Sequence, residues 1–470
     1  MIEVTIAARW QIVSSEATSF GNGNLALGDI PGWDNHNHAG FADEGLATSD
    51  GSLRGFFTQW SWAYIEARMP QAQFRTYRDA ISLGGDKDVA KAIHQKYPIE
   101  KWIDESTAMQ QFTTMGVAIR AGCEALYGEY DNVERLNQLM KEARQQPPNF
   151  LWDKGCEIGN LKKICTISFG INRQHYSEKL YKWEPYLDPL FYPFPIKDFP
   201  RRGAMVQDFL HGFHLVLPSY MKRYGIGAIP SDFADYRDAV GKVVDGMLRD
   251  GAITFKVISL YVRGLDFAAV AEKDAARVFA DMSKGNLVER KIFEDYIARW
   301  IFFKLANGSR APVNFHVSTT HTEPGTTLRM MDISGMEETL FQDKGLSNQP
   351  FIITHAGAVY PGVRQVAACL FHYGNVYADC SEWSYYEYNG GVNAVVTMTE
   401  AAPGHKLLWG TDGTVPEIFT GSAITSRRML ADALQRRVDT GSLPKKLMVP
   451  LAERVLYKNA EKLYGFSVDA

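Results

Sequence analysis

Four short apolar runs in the second half of the chain each carry one polar group able to hold a metal or a proton. AITFKVIS carries Lys256, PVNFHV ends on His316, PFIITHAG turns at His355, and KLLWGTDG reaches Asp412. Amphipathic stretches such as FADYRDAVGKVVDGMLRD and VERKIFEDYIARWIFFKLANG precede or separate them. Short continuous apolar runs that alternate with helical periodicity read as parallel strands of βα units, buried on both faces. In a (β/α)8 barrel the C-terminal ends of all strands meet at one mouth, where active sites are built. Groups far apart in the chain would then converge.

Near the start, WDNHNHAG sets His36 and His38 two positions apart. Alternate side chains of a strand point the same way, so a strand end here would turn both rings toward a single ion. Each group alone has a plainer explanation. A buried histidine at a strand end is more often a hydrogen-bonded core residue. Asp412 in GTDG can be a turn residue or the N-cap of the next helix. A lysine in a buried strand is rarer, because desolvating an ammonium is costly, and it signals a partner or a depressed pKa. A His-x-His followed in order by Lys, His, His and Asp at strand ends is hard to obtain from six unrelated accidents.

The rest of the 470 residues fits one α/β domain spanning 1–470, with a helical insertion over about 53–147 after the first strand. LKKICTISFG is the candidate for strand 2, and strand 3 is expected somewhere in 150–232. Residues 170–230, rich in aromatics and prolines (YLDPLFYPFPIKDFP), read as an irregular excursion that covers the mouth or faces a partner. The net charge of −4 comes with no basic run for a nucleic acid or a membrane surface. MIEVTIAARWQIV lacks a signal-peptide pattern, and no stretch of about 18 apolar residues occurs. Five cysteines without a CxxC spacing point to free thiols in a reducing cytoplasm, not to a disulfide frame or a zinc ribbon. These features suggest a cytoplasmic protein acting on a small molecule.

With these residues in view, the chain resembles the amidohydrolase superfamily of metal-dependent TIM barrels. Their pattern is HxH after strand 1, Lys after strand 4, His after strands 5 and 6, and Asp after strand 8. FKVISLYVRGL, FHVSTTHTEPG, THAGAVYPG and GTDGTVPE are similar to the amidohydrolase-2 branch, and within it to the group of FluG-like and nodulin-like proteins. The likeness runs from about 233 to 436, plus the opening His pair. Uronate isomerases have a similar length and a helical insert, but their sequence signatures are absent here.

The resemblance implies a ligand set. His36, His38 and Asp412 would hold one divalent ion, with zinc first among the candidates. A second ion would need His316, His355 and a bridging anion, which Lys256 could supply as a carbamate. In the alternative, mononuclear site, Lys256 stays an ammonium paired with a carboxylate, His316 joins the first ion, and His355 acts beside it as an acid or electrophile. A bound water would fall in pKa from about 15.7 to about 7, and Asp412 would take its proton and pass it to the leaving group. Tyr261 and Arg263 follow the Lys256 strand, and Arg263 is either a fork for a substrate carboxylate or a salt bridge that ties its loop down. Glu323 and Tyr360 are expected in the pocket, with Ser381 and Glu382 as weaker candidates. The implied activity is cleavage of a C–N, amide-type bond in a small carboxylate-bearing molecule. Decarboxylation of an aromatic or unsaturated acid is the alternative, and a non-catalytic binding barrel stands third. Family analogy adds a homo-oligomer, dimer or higher.

Overall fold

The computed structural model describes residues 27–39, 61–81, 85–147, 149–169, 176–194, 204–318, 328–358 and 362–469. Among these, eight strands run in parallel: β1 (Gly32–Asn37), β2 (Leu161–Ile167), β3 (Tyr181–Glu184), β4 (Phe255–Val257), β5 (Val313–His316), β6 (Phe351–Thr354), β7 (Val376–Asp379) and β8 (Leu407–Leu408). Hydrogen bonding joins β1–β2–β3 and β4–β5–β6–β7–β8 in sequence order. Bridges Trp183–Ala252 and Tyr186–Lys256 connect β3 to β4. On the other side Asn35 N donates to Trp409 O, Asp412 N to His36 O, and His38 N to Gly413 O, which joins β1 to the chain leaving β8. The two sheets thus close into the expected (β/α)8 barrel.

β4, β5, β6 and β8 are buried on both faces, which is why their runs read as nearly continuous apolar sequence. Phe255, Val313, Phe351 and Val376 sit in register across β4 to β7. Outside them the helix Arg290–Ala306 lays Phe302 against Phe315 and Phe351, at ring centroid distances of 5.7 and 5.8 Å. At β1, Trp33 stacks on Tyr464 of the Asn459–Tyr464 helix, so the end of the chain closes over its first strand.

Between β1 and β2 the described chain is helical from Trp62 to Ile158 in seven segments. Asp86, Thr113 and Asn132 cap three of these helices through their side chains, as short polar residues do at an N-cap. The helical stretch outruns the expected limit of 147 because Phe150–Ile158 buries Leu151, Trp152 and Cys156 and then feeds β2. Its innermost helix, Thr114–Tyr127, crosses the long helix Pro416–Asp439 backbone to backbone. A Cβ added at Gly122 would stand 1.9 Å from Glu417 O, and one at Gly421 1.8 Å from Ala118 O, so only glycine permits this approach.

The expected irregular excursion over 170–230 needs correction. Its described part holds β3 and the helix Ala204–Arg223, and Tyr181, Trp183, Tyr186, Leu190, Phe191 and Tyr192 are all buried. Tyr186, Phe191 and Tyr192, which suggested a partner-facing surface, are core. No described helix is long and apolar enough to cross a membrane.

Candidate metal centre

The β1–β8 seam assembles the first half of the site. Asp34 Oδ1 accepts from His36 N at 3.2 Å and from Thr411 N at 2.9 Å, so one buried carboxylate fixes both chain segments. Asp412 Oδ1 then lies 3.0 Å from His36 Nε2 and 3.0 Å from His38 Nε2. The two rings reach one oxygen, as strand alternation anticipates. The other carboxylate oxygen, Oδ2, accepts from the Tyr385 hydroxyl at 2.7 Å.

Charge follows from this geometry. Burial opposes ionisation of Asp412, but hydrogen bonds from His36 and His38 outweigh it and hold the carboxyl well below its ordinary range. Burial and Lys256 oppose a proton on His36, yet Asp412 and Glu184 raise its pKa on balance. Burial lowers that of His38.

The second half comes from β3 to β7. Lys256 Nζ stands 3.3 Å from His36 Nε2, buried, with its pKa lowered by desolvation against the pull of Glu184, Asp379 and Asp412. Tyr261 OH lies 2.6 Å from His316 Nε2, His316 Nδ1 2.9 Å from His355 Nε2, and His355 Nδ1 2.8 Å from Ser381 Oγ. Ser381 donates its hydroxyl hydrogen to Asp379 Oδ1. With Ser381 committed to Asp379, His355 donates from Nδ1 to Ser381 and His316 from Nδ1 to His355, while His316 Nε2 faces both the Tyr261 hydroxyl and, at 3.2 Å, the Ser318 carbonyl oxygen. Burial and His316 push the pKa of His355 well below the ordinary imidazole value, which keeps it neutral.

His36, His38 and Asp412 offer three ligand atoms lying within 4.8 Å of one another, and His355, Glu382 and Asp412 form a second such group that shares Asp412. Two imidazole nitrogens and a carboxylate oxygen suit a zinc-like divalent ion, so the residues present fit a metal. His355, Glu382 and Asp412 also have positive φ values of 69°, 67° and 53°. Non-glycine residues take this conformation at a cost and keep it only where surrounding structure enforces it, commonly at functional sites.

Of the residues expected from sequence, His36, His38, Lys256, Tyr261, His316, His355 and Asp412 are gathered here, with Ser381 and Glu382. Arg263 is not. Its guanidinium pairs with Asp295 and, at 3.6 Å, with Glu294, both on the Arg290–Ala306 helix, which is the loop-anchoring arrangement and not a free fork. Glu323 and Tyr360 lie outside the described residues. Three participants escaped the sequence reading. Glu184 ends β3, whose position was open, with Oε2 3.8 Å from His36 Nδ1. Asp379 ends the apolar run NVYAD and could have been read by the rule that found His316. Tyr385 sits in an aromatic run, WSYYEY, with no distinguishing spacing.

Comparison with solved structures finds the same architecture. A candidate metal-dependent hydrolase from Lactobacillus casei aligns at 15% identity and a TM-score of 0.57, covering 95% of this chain and 98% of that one. Glucuronate isomerase from Caulobacter crescentus aligns at 14% and 0.63, covering 98% and 96%. Uronate isomerase from Thermotoga maritima aligns at 14% and 0.58, covering 93% and 95%. At such identities the likeness is one of fold, and it brings back as fold relatives the isomerases that motif reading set aside. No curated protein matches the sequence. The family model described as Amidohydrolase matches residues 228–466, which contain β4 to β8 and with them Lys256, His316, His355 and Asp412. It does not single out the FluG-like group. Half of the sequence thus carries the family's pattern on a closed barrel, and the chain belongs to the amidohydrolase family.

Proposed function

We propose that the protein is a metal-dependent hydrolase that cleaves a C–N, amide-type bond in a small molecule. The observation that carries this reading is Asp412 Oδ1 at 3.0 Å from both His36 Nε2 and His38 Nε2. These three residues would hold a divalent cation, which when bound would supply a water of lowered pKa and polarise the scissile carbonyl. The Asp412 carboxylate, ionised at neutral pH, accepts a proton and returns it to the leaving nitrogen. Tyr385, donating to Oδ2, fixes the orientation of that carboxylate. Because Arg263 is committed to Asp295 and Glu294, no substrate carboxylate is assigned to it.

A second reading, isomerisation of a uronate, is supported by the alignment with glucuronate isomerase over 98% of the chain, helical insertion included. One panel separates the readings. Chelator-stripped protein, with and without added zinc or manganese, is offered amides, lactams and N-acyl amino acids, and uronates and aromatic acids in parallel. Metal-dependent amine release is the expected result. Ketose formation from a uronate would establish the isomerase, and CO₂ release from an aromatic acid a decarboxylase.

A further inference from the structure

We propose that the helical insertion between β1 and β2 braces the metal centre, and that Tyr385 is the positioning residue through which it acts on Asp412. The inference rests on the reading of His36, His38 and Asp412 as a cation site.

Tyr385 belongs to the short helix Trp383–Tyr386 after β7, and its side chain is buried. Its ring lies in a compact cluster with Met115, Ala118, Ile119 and Cys123 of the Thr114–Tyr127 helix and with Ile418. Its hydroxyl leaves this cluster to reach Asp412 Oδ2 at 2.7 Å and Asp412 O at 3.3 Å. Insertion and active carboxylate are therefore one tyrosine apart.

The same insertion holds the far end of the turn that carries Asp412. That turn runs into the Pro416–Asp439 helix, whose first residues are clamped by the Gly122–Gly421 crossing. Glu417, fully buried, takes hydrogen bonds from Tyr127 and from Arg144 Nη2, the latter at 2.9 Å. Asp412 is thus tied on three sides. His36 and His38 reach Oδ1, Tyr385 reaches Oδ2, and Glu417 anchors the chain five residues on. A left-handed residue at φ 53° needs such restraint to keep its carboxylate in one orientation. Groups that hydrogen-bond a ligating carboxylate set its orientation, and losing one typically costs about 10–100-fold in metal affinity.

The test measures zinc affinity of the full-length protein by chelator competition, with the ligand-field spectrum of the cobalt-loaded protein as a second readout. Tyr385→Phe keeps the ring and the fold, and is expected to bind zinc about 10–100-fold more weakly with an altered cobalt spectrum. Ile119→Ala, on the insertion face that packs around Tyr385, is expected to weaken binding about threefold or more. Ile103→Ala is an equivalent deletion in the separate cluster of the insertion built around Ile65 and Ile99. It is expected to leave affinity within about twofold. A Tyr385→Phe protein with unchanged affinity and spectrum overturns the inference, as does an Ile103→Ala protein weakened as much as Ile119→Ala, because general loosening would then explain both. A wild type that binds no divalent cation overturns the metal reading itself, and this inference with it.

Discussion

Glu184 Oε2 stands 3.8 Å from His36 Nδ1 while the other nitrogen of the same ring, Nε2, faces Asp412 Oδ1 at 3.0 Å. Asn314 of β5 donates to Glu184 Oε1, which leaves Oε2 as the oxygen turned to the imidazole. In the proposed cation site this carboxylate would stand behind the His36 imidazole and orient its ring. Glu184→Gln is therefore expected to weaken zinc binding by about 10–100-fold without unfolding the chain. Chelator competition on the folded variant checks this, and an affinity equal to wild type would remove Glu184 from the site.

Asp412 is asked to hold an ion and to move a proton. Asp412→Asn preserves shape but not the charge that His36 and His38 stabilise. Turnover per bound metal is expected to drop by about 10²–10⁴-fold, the usual share of acid–base catalysis. Stripping the wild type with a chelator should abolish turnover, and zinc should restore it. Metal content measured beside the rate distinguishes a lost ion from a lost base.

Arg263 separates a structural cation from a substrate fork. Its side chain is 3% exposed, and Asp295 and Glu294 are 4% and 0% exposed. Removing one partner of a buried ion pair costs roughly 3–5 kcal/mol. Arg290 and Lys291 also reach these two acids, which puts Arg263→Met near the lower end. Urea denaturation should show this loss while KM of the folded enzyme stays close to wild type. A raised KM with unchanged stability would restore the fork.

Asp188 gives the fold a pH dependence. Its carboxyl accepts from Ile258 N at 2.9 Å and Ser259 Oγ at 2.8 Å, beneath the loop that follows Lys256. Burial nevertheless pushes its pKa from 3.8 up to about 7, the hydrogen bonds offsetting only part of that. Between these values the native state holds more protons than the unfolded chain. The stability due to Asp188 is therefore full below about pH 4 and is lost as the pH rises to about 7. Asp34, also pushed up to about 7 by burial, acts in the same direction. Asp188→Asn should flatten part of this slope in unfolding curves measured from pH 4 to 8, and an unchanged slope would refute the assignment.

Much of the architecture was readable because buried parallel strands have a plain signature. The runs holding Lys256, His316, His355 and Asp412 were found as strands or strand ends, and their order gave the barrel and its mouth. LKKICTISFG reads as strand 2 in the sequence, and β2 spans Leu161–Ile167 within it. β3 was missed because YKWE is four residues long and carries two charges, which no periodicity rule picks out. With β3 went Glu184. Arg263 shows the other limit: sequence offered two roles for one guanidinium, and only the Arg290–Ala306 helix, packed from elsewhere, decides between them. Tyr385 was out of reach for the same reason, since its value lies in a helix inserted more than 250 residues earlier.

The seam between β1 and β8 has a consequence for the order in which the molecule is made. His36 and His38 leave the ribosome long before residue 412, yet the oxygen they share belongs to that residue, and the hydrogen bonds that align them join positions 35–38 to 409–413. A loop of that length closes slowly, and little rewards it until the ring of strands is complete. The two histidines thus wait for the residues between 38 and 412 to be made before Asp412 can meet them. Tight uptake of a divalent cation would mark the moment the barrel shuts, making the metal a reporter of finished assembly.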